Sequence, residues 1–226
     1  MCIRISNNRP IILFDLDGTL IDSTKAIVDT FYYSFDKLGL KHNITQDDIT
    51  SLIGYPLDIM YSKLGVDEKE VDIFVQTYKK RYRQISIAQT ILFDFSVQAI
   101  KLAYSFARLG IVTTKTGAYT KPLLEHFGIW EYFDTLVGRE DVINPKPHQE
   151  PILLALSNVN LNTKLKDIYM IGDTKLDLLS AQNAGVNSYG VLCGYGKKED
   201  LSQYTKNIAQ DTLEAIKNIK EIYEKR

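Results

Sequence analysis

Short apolar segments alternate along this chain with stretches of helical spacing, and this alternation limits the possible folds more than any other feature. Buried strands are predicted at residues 11–14, 111–114, 134–137, 168–171 and 188–191. Helices are predicted at residues 96–109, 120–127, 174–184 and 211–225. Strands that alternate with helices favour a parallel sheet covered by helices on both faces. The pattern therefore predicts an α/β fold around a five-stranded parallel sheet.

The first two predicted strands are separated by far more chain than one crossover helix needs. The intervening stretch, residues 22–92, has the pattern of four helices. The first covers residues 23–38, and Thr45 with Asp48 resembles the capping box of the second. The third begins near Pro56, and the fourth runs from residue 67 to about residue 85. We expect an α/β core domain of residues 1–21 and 93–226, with residues 22–92 inserted as a helical cap domain.

Composition and charge narrow the classes of function. The 226 residues include 27 Lys and Arg against 28 Asp and Glu, which gives a net charge of −1. This balance argues against nucleic acid or an anionic membrane as a partner. Cys2 and Cys193 are too few for a disulfide framework or a structural zinc site. The sequence shows neither a signal-peptide pattern nor an apolar run of membrane-spanning length, so a cytoplasmic location is expected.

The first predicted strand runs directly into two acidic residues. Asp15 and Asp17 stand in the sequence F-D-L-D-G-T, at the end of the strand where parallel sheets bind ligands. Two nearby carboxylates repel each other unless a cation lies between them. Mg²⁺ is the obvious candidate because it is a hard cation that prefers oxygen ligands. Taken alone, the segment could equally be an acidic turn that caps a helix.

Polar or charged residues follow three more of the predicted strands. Thr113 and Thr114 end the second strand, Lys146 stands between two prolines after the third, and Asp173 and Asp177 follow the fourth. Each could be structural by itself: the threonines as a β-branched strand end, Lys146 as a surface lysine, and the last two as a helix cap by Asp173 beside a solvated Asp177. Because parallel strands bring these positions to one edge of the sheet, we expect a common site for a phosphoryl group and a cation.

These residues carry a resemblance to a known family. The segment IILFDLDGTLIDS resembles the first motif of the haloacid dehalogenase-like (HAD) hydrolases. Thr113, Lys146 and the G-D-x-x-x-D segment that ends at Asp177 match the second, third and fourth motifs in order. The position and helical content of the insert resemble the cap of the subgroup that includes phosphoglycolate phosphatases. The resemblance implies a Rossmann-like core sheet with an inserted helical bundle.

The resemblance also implies roles for the acidic residues. Asp15 would be the nucleophile that attacks phosphorus and becomes an aspartyl-phosphate. Asp17 would protonate the leaving oxygen and later activate the hydrolytic water, so both residues would contact substrate. Mg²⁺ would be held by Asp15, the backbone carbonyl of Asp17, and Asp173. Asp177 would support the ion through water or from outside its ligand shell.

The remaining matched positions are implied to bind substrate. Thr113 and Lys146 would bind the phosphoryl oxygens, together with backbone amides near Leu16 and Thr114. In relatives, a loop such as the one that carries Tyr55 faces the active site and selects substrates. A buried tyrosine in a turn before a helix is an equal alternative for this position.

The implied activity is a Mg²⁺-dependent phosphatase for a small phosphorylated metabolite, with phosphoglycolate as the best single candidate. A phosphosugar mutase resembling β-phosphoglucomutase, and a pyrophosphatase or nucleotide phosphatase of the same fold, remain alternatives. A non-catalytic binding protein would be expected to lack the nucleophile or a metal ligand, and neither is missing. A dehalogenase is disfavoured because Asp17 is present. The protein is expected to be a monomer or a homodimer.

Three further features carry weaker signals. The basic run at residues 79–83 could attract an anion or nucleic acid, but a solvated helix face is the favoured interpretation. His148 could line the site or lie on the surface. The Gly194-Tyr195-Gly196 segment lacks the third glycine of a dinucleotide motif, which disfavours a nicotinamide enzyme.

Overall fold

The computed structural model describes residues 9–159 and 163–225. Cys2 and the amino-terminal segment considered for a signal peptide lie outside the described residues. Among the helices described, none is long and apolar enough to cross a membrane.

Six parallel strands form the central sheet, in the order β5–β4–β1–β6–β7–β8. Within the described residues, the strands in chain order are β1 (Ile11–Phe14), β2 (Ile21–Asp22), β3 (Ile91–Leu92), β4 (Arg108–Val112), β5 (Thr135–Val137), β6 (Ile168–Gly172), β7 (Asn187–Val191) and β8 (Ile208–Ala209). The prediction of an α/β fold with a parallel sheet is confirmed, with one strand more than the five predicted. The added strand, β8, has only two residues, which is too short to produce a recognisable apolar pattern.

Helices cover both faces of the sheet. The helices of the described residues, four of which lie in the inserted segment, are in chain order α1 (Thr24–Leu38), α2 (Gln46–Thr50), α3 (Leu57–Lys63), α4 (Val71–Gln89), α5 (Ser96–Phe106), α6 (Gly117–His126), α7 (Glu150–Asn158), α8 (Lys175–Ala184), α9 (Lys198–Leu201) and α10 (Thr212–Glu224). Side chains of β1 alternate between the two faces, as strand geometry requires. Ile12 and Phe14 join a buried cluster with α5, α6 and α10, whereas Ile11 and Leu13 join one with α7 and α8.

Some predicted boundaries were wrong. Helix α4 runs from Val71 to Gln89 rather than from residue 67 to about residue 85, and α6 begins at Gly117 rather than at residue 120. The helix predicted at residues 96–109 ends at Phe106, and β4 begins at Arg108 rather than at residue 111. Arg108 and Leu109 pair with Ile11 and Ile12 of β1. Pairing with the neighbouring strand therefore decides the conformation of a segment whose apolar residues suit either a helix or a strand.

Helices α1 to α4 share a third buried cluster, which is rich in aromatic residues. Phe31, Phe35, Tyr61 and Phe74 pack with ring centroids 4.6–6.1 Å apart along the contacts that join them. The capping box predicted at the start of α2 is present. The chain enters and leaves this helical segment through the antiparallel pair β2 and β3. The two-domain division at residues 22 and 92 stays a prediction that this arrangement supports.

Candidate active site

Asp15 lies at the carboxyl end of β1, in the middle of the sheet. Its backbone amide donates a hydrogen bond to the carbonyl oxygen of Ile171, at 2.9 Å, so β6 holds the backbone at this point. Strand β1 has β4 on one side and β6 on the other, and this is where chain connections diverge to opposite halves of the sheet. Parallel α/β sheets bind ligands at such a position. The Asp15 side chain is buried there.

Lys146 reaches the same point from the loop between β5 and α7. Its ammonium group donates hydrogen bonds to Asp15 Oδ1 at 2.7 Å, to Asp177 Oδ1 at 2.5 Å and to the carbonyl oxygen of Val112 at 3.0 Å. Burial lowers the pKa of Lys146, but the two carboxylates more than offset this, so the pKa lies above its usual value. The lysine is therefore a permanent cation in the centre of the site.

Asp177 is buried, so the alternative of a solvated Asp177 was wrong, and the carboxylate that closes the cap of α8 is Asp177 rather than Asp173. Its Oδ2 accepts hydrogen bonds from the amide and the hydroxyl of Thr174, at 3.0 and 2.8 Å, and so closes the capping box of α8. Its other oxygen is the one that contacts Lys146. The helix cap thus fixes the carboxylate that holds the lysine.

Asp173 is fully buried, and neutral donors hold it. The hydroxyl of Thr19 donates to its Oδ1 at 2.9 Å, and the amide of Tyr195 donates to its Oδ2 at 2.8 Å. Two glycines leave the space that this carboxylate fills. A Cβ atom at Gly18 would lie 2.3 Å from Asp173 Oδ2, and one at Gly194 would lie 2.2 Å from the same oxygen. Gly18 also has a φ of +83°, which side chains disfavour.

Sequence reasoning missed the Gly194–Gly196 segment as part of this site, because it was tested only against a dinucleotide motif. Its position after β7 was the available signal, since β7 ends at the same edge of the sheet as β1 and β6.

Three buried carboxylates meet at the site and form the cluster that we call the aspartate triad: Asp15, Asp173 and Asp177. One oxygen from each lies within 4.8 Å of the others. Lys146 forms ion pairs with Asp15 and Asp177, but within the described part of the chain no ion pair reaches Asp173. Burial and the neighbouring carboxylates raise the pKa of Asp15 to about 7, although Lys146 opposes the shift. Burial and the same repulsion raise the pKa of Asp173 well above its usual value.

The aspartate triad fits a divalent metal ion. Its negative charge exceeds the single charge of Lys146, and its ligand atoms are the carboxylate oxygens that hard cations prefer. A cation would lower the free energy of the ionised carboxylates, which burial otherwise disfavours.

Asp17 does not join the triad through its side chain. Its Oδ1 accepts a hydrogen bond from the Ser23 hydroxyl and lies 3.1 Å from Nζ of Lys115. The metal contact expected of Asp17 was its backbone carbonyl, and the role expected of its carboxylate in proton transfer stays a prediction. Lys115 is a second residue that sequence reasoning did not assign, although it directly follows the Thr113-Thr114 pair.

The predicted phosphoryl-binding positions lie around the same edge of the sheet. The Thr113 hydroxyl oxygen accepts a hydrogen bond from the amide of Lys115 at 3.1 Å. The hydroxyl proton is not used in this bond, so Thr113 can donate it to another group. Within residues 9–159 and 163–225, the amides of Leu16 and Thr114 donate to no protein acceptor. Free amides at the end of a parallel strand are suited to binding an anion.

A cavity of about 360 Å³, which we call the cap cavity, separates this edge from helices α3 and α4. Asp17, Thr114 and Lys115 line it on the sheet side, and Tyr55 lines it on the helical side. The structure therefore brings Tyr55 to the site as predicted for a substrate-selecting loop, and its role stays a prediction. His148 is exposed, and its Nδ1 accepts a hydrogen bond from the Glu150 amide at 3.1 Å.

The basic run has no single orientation. Lys80 is exposed, as the solvated-face interpretation predicts, whereas Lys79 lines the cap cavity. Arg83 donates a hydrogen bond to the Tyr119 hydroxyl at 2.9 Å. The neighbouring Tyr78 and Tyr82 are buried in the aromatic cluster, so they do not form an exposed nucleic-acid surface.

The fold and the site define a parallel α/β protein with a buried carboxylate triad and a lysine at the carboxyl edge of its sheet. Comparison with known families gives the particular family: residues 12–191 match the model described as "Haloacid dehalogenase-like hydrolase". This match covers most of the chain, so the protein belongs to the haloacid dehalogenase-like hydrolase family. The resemblance inferred from the four motifs is confirmed.

Individual relatives agree with this assignment. The chain is 32% identical to the Dickeya dadantii protein named "Probable phosphatase IndB", over 92% of each chain. It is 30% identical to the phosphoglycolate phosphatase of Colwellia psychrerythraea, over 92% of this chain and 95% of the relative. Among solved structures, the haloacid dehalogenase-like hydrolase SP0104 of Streptococcus pneumoniae superimposes with a TM-score of 0.82 at 29% identity, covering 93% of this chain and 98% of that one.

Proposed function

We propose that this protein is a Mg²⁺-dependent phosphatase that hydrolyses a small phosphomonoester through an aspartyl-phosphate on Asp15. The observation that carries the proposal is the contact of Lys146 with Asp15 and Asp177 beside the carboxylate of Asp173. This arrangement presents a nucleophilic oxygen, a fixed cation for a phosphoryl group and a set of metal ligands at one point. The phosphatase names of the relatives support chemistry on phosphoric esters.

In the first step, Asp15 attacks phosphorus while the bond to the leaving oxygen breaks. Lys146 binds Asp15 through Oδ1, which leaves Oδ2 as the attacking atom. Asp17 gives its proton to the leaving oxygen. The Thr113 hydroxyl and the free amides of Leu16 and Thr114 orient the phosphoryl oxygens.

Mg²⁺ would be held by Asp15 and Asp173, with Asp177 in support, and would neutralise charge on the phosphoryl oxygens. These residues satisfy that requirement because their carboxylates are close together, buried and only partly neutralised.

In the second step, water attacks phosphorus of the aspartyl-phosphate, and Asp17 takes up a proton from that water. The products are inorganic phosphate and free Asp15. Ser23 and Lys115 both contact Oδ1 of Asp17 and so keep the carboxylate at the edge of the cap cavity in both steps.

The test is phosphate release from a panel of phosphomonoesters and pyrophosphate, with Mg²⁺ and with EDTA. Release should require Mg²⁺ and should vanish in Asp15→Asn, because an amide is a poor nucleophile. Asp36→Asn is the matched control, since Asp36 is an exposed aspartate on α1. Asp173→Asn should raise the Mg²⁺ concentration needed for half-maximal rate. Normal turnover by Asp15→Asn would contradict the mechanism, and an unchanged Mg²⁺ titration would remove Asp173 from the metal site.

A further inference from the structure

We propose that the preferred substrate is a phosphomonoester whose alcohol carries an uncharged apolar group, such as a ring, rather than a second anionic group. The inference rests on the proposed phosphatase function and names the class of its substrate. It comes from the position, the walls and the charge of the cap cavity.

The cap cavity begins where the leaving group must be. Asp17, the proposed donor to the leaving oxygen, lines its sheet side together with Thr114 and Lys115. The organic part of the substrate is bonded to that oxygen, so it extends from Asp17 into the cavity. A volume of about 360 Å³ is within the range of pockets that enclose small organic ligands, about 300–1,000 Å³.

The lining of the cap cavity is mixed, and nine of its twenty described residues are apolar or aromatic. Ile27, Ile53, Met60 and Tyr78 line it with side chains that belong to the buried cluster of the helical segment. The Leu57, Val75, Tyr82 and Tyr119 side chains add to this surface. Apolar and aromatic walls gain free energy when they displace water against an apolar ligand, and they offer little to a carboxylate.

The charged residues of the lining do not provide the attraction for a carboxylate that the apolar side chains lack. Among the described residues that line the cavity, four are carboxylates (Asp17, Asp58, Asp72 and Glu140) and three are cations (Lys79, Lys115 and Arg139). Lys115 and Asp17 form an ion pair with each other, which leaves three carboxylates against two cations in the lining. An anionic leaving group, such as glycolate or a second phosphate, would therefore enter a lining with an excess of negative charge.

The experiment compares kcat/KM for benzyl phosphate, methyl phosphate, phosphoglycolate and pyrophosphate under the same Mg²⁺ concentration. Benzyl phosphate should exceed each of the other three by about tenfold or more, since filling an apolar pocket contributes discrimination of this size. Equal values for benzyl and methyl phosphate would overturn the inference, and so would a preference for phosphoglycolate or pyrophosphate.

Two variants of one wall position separate charge from packing. Val75→Lys should lower kcat/KM for benzyl phosphate and raise it for phosphoglycolate, because it adds a cation to the wall. Val75→Glu should lower the value for both substrates. Ile73→Lys is the matched control, since Ile73 lies on the same helix, is exposed and does not line the cavity. An unchanged ratio of the two substrates in Val75→Lys would contradict the inference.

The controls also distinguish this inference from the proposed function. Mg²⁺-dependent release that is lost in Asp15→Asn, combined with a preference for phosphoglycolate, would overturn only the substrate class. No release from any compound by the folded protein would overturn the phosphatase function and this inference with it.

Discussion

The ammonium group of Lys115 lies 2.8 Å from the hydroxyl of Tyr82, and this contact joins the sheet to helix α4. The same ammonium group lies 3.1 Å from Asp17, the proposed acid and base. Its side chain is only 8% exposed, so water screens these contacts weakly. The geometry couples the position of the helical segment to the position of the catalytic carboxylate.

Lys115→Met should therefore affect both stability and catalysis. The loss of a partly buried, charged hydrogen bond should lower the free energy of unfolding by about 1–3 kcal/mol. Because Asp17 would keep only its Ser23 contact, we also expect a lower kcat/KM. Urea unfolding and steady-state kinetics measure the two effects, with exposed Lys101→Met as the control. A double-mutant cycle with Tyr82→Phe should show a coupling of about 0.5 kcal/mol or more, and strict additivity would contradict the link.

Gly18→Ala should inactivate the enzyme, and Gly39→Ala should not. Both glycines have positive φ, +83° and +73°, so both variants should lose about 1–2 kcal/mol of stability from backbone strain. A Cβ at position 18 would overlap with the Asp173 carboxylate, whereas a Cβ at position 39 would have no atom within 4 Å. The measurement is phosphatase rate beside unfolding free energy for both variants. Equal activities would show that Asp173 tolerates displacement.

Lys146→Met should leave two buried carboxylates without their cation. Removing one partner of a buried ion pair costs about 3–5 kcal/mol, and the loss should appear in chemical denaturation without added metal. Lys175→Met provides the control, since Lys175 is exposed on α8, the helix that carries Asp177. A small effect, equal to that of the control, would mean that the triad is already protonated in the folded protein.

The metal-free protein should lose stability relative to Asp15→Asn as pH rises from about 4 to about 7. Burial raises the pKa of Asp15 from 3.8 to about 7, so between these values the folded state binds more protons than the unfolded state. Protonation therefore favours the folded state at low pH, and this contribution is lost as pH rises through the folded pKa. Urea denaturation in EDTA across this range measures the difference between the two proteins. A difference that is constant with pH would contradict the raised pKa.

Much of this architecture could be predicted from residue pattern because it depends on short-range signals. The strand at Ile11–Phe14 and the helix that ends before Gly39 have the predicted bounds or differ from them by one residue. The capping box at Thr45 and Asp48 is equally local. Strand β4 was misplaced by three residues at its start, because its bounds depend on pairing with β1 rather than on its own composition.

The site residues also differ in whether they could be predicted from their place in the sequence or only from a contact with a distant residue. Asp15, Lys146, Asp173 and Asp177 were placed together from their positions after the first, third and fourth predicted strands, and the structure brings their side chains together. Lys115 was not assigned, because its significance lies in a contact with Tyr82, 33 positions earlier in the chain.

The sequence by itself determined the α/β alternation, the place of the helical insert and the set of residues at the carboxyl edge of the sheet. These follow from periodicity and from the rule that parallel strands end at one edge. Only the tertiary structure decided which carboxylate meets which cation, how Gly18 and Gly194 make room for Asp173, and which walls enclose the cap cavity. The physical reason is that these features are contacts between segments that are distant in the sequence. They are determined by how those segments pack together in the folded protein.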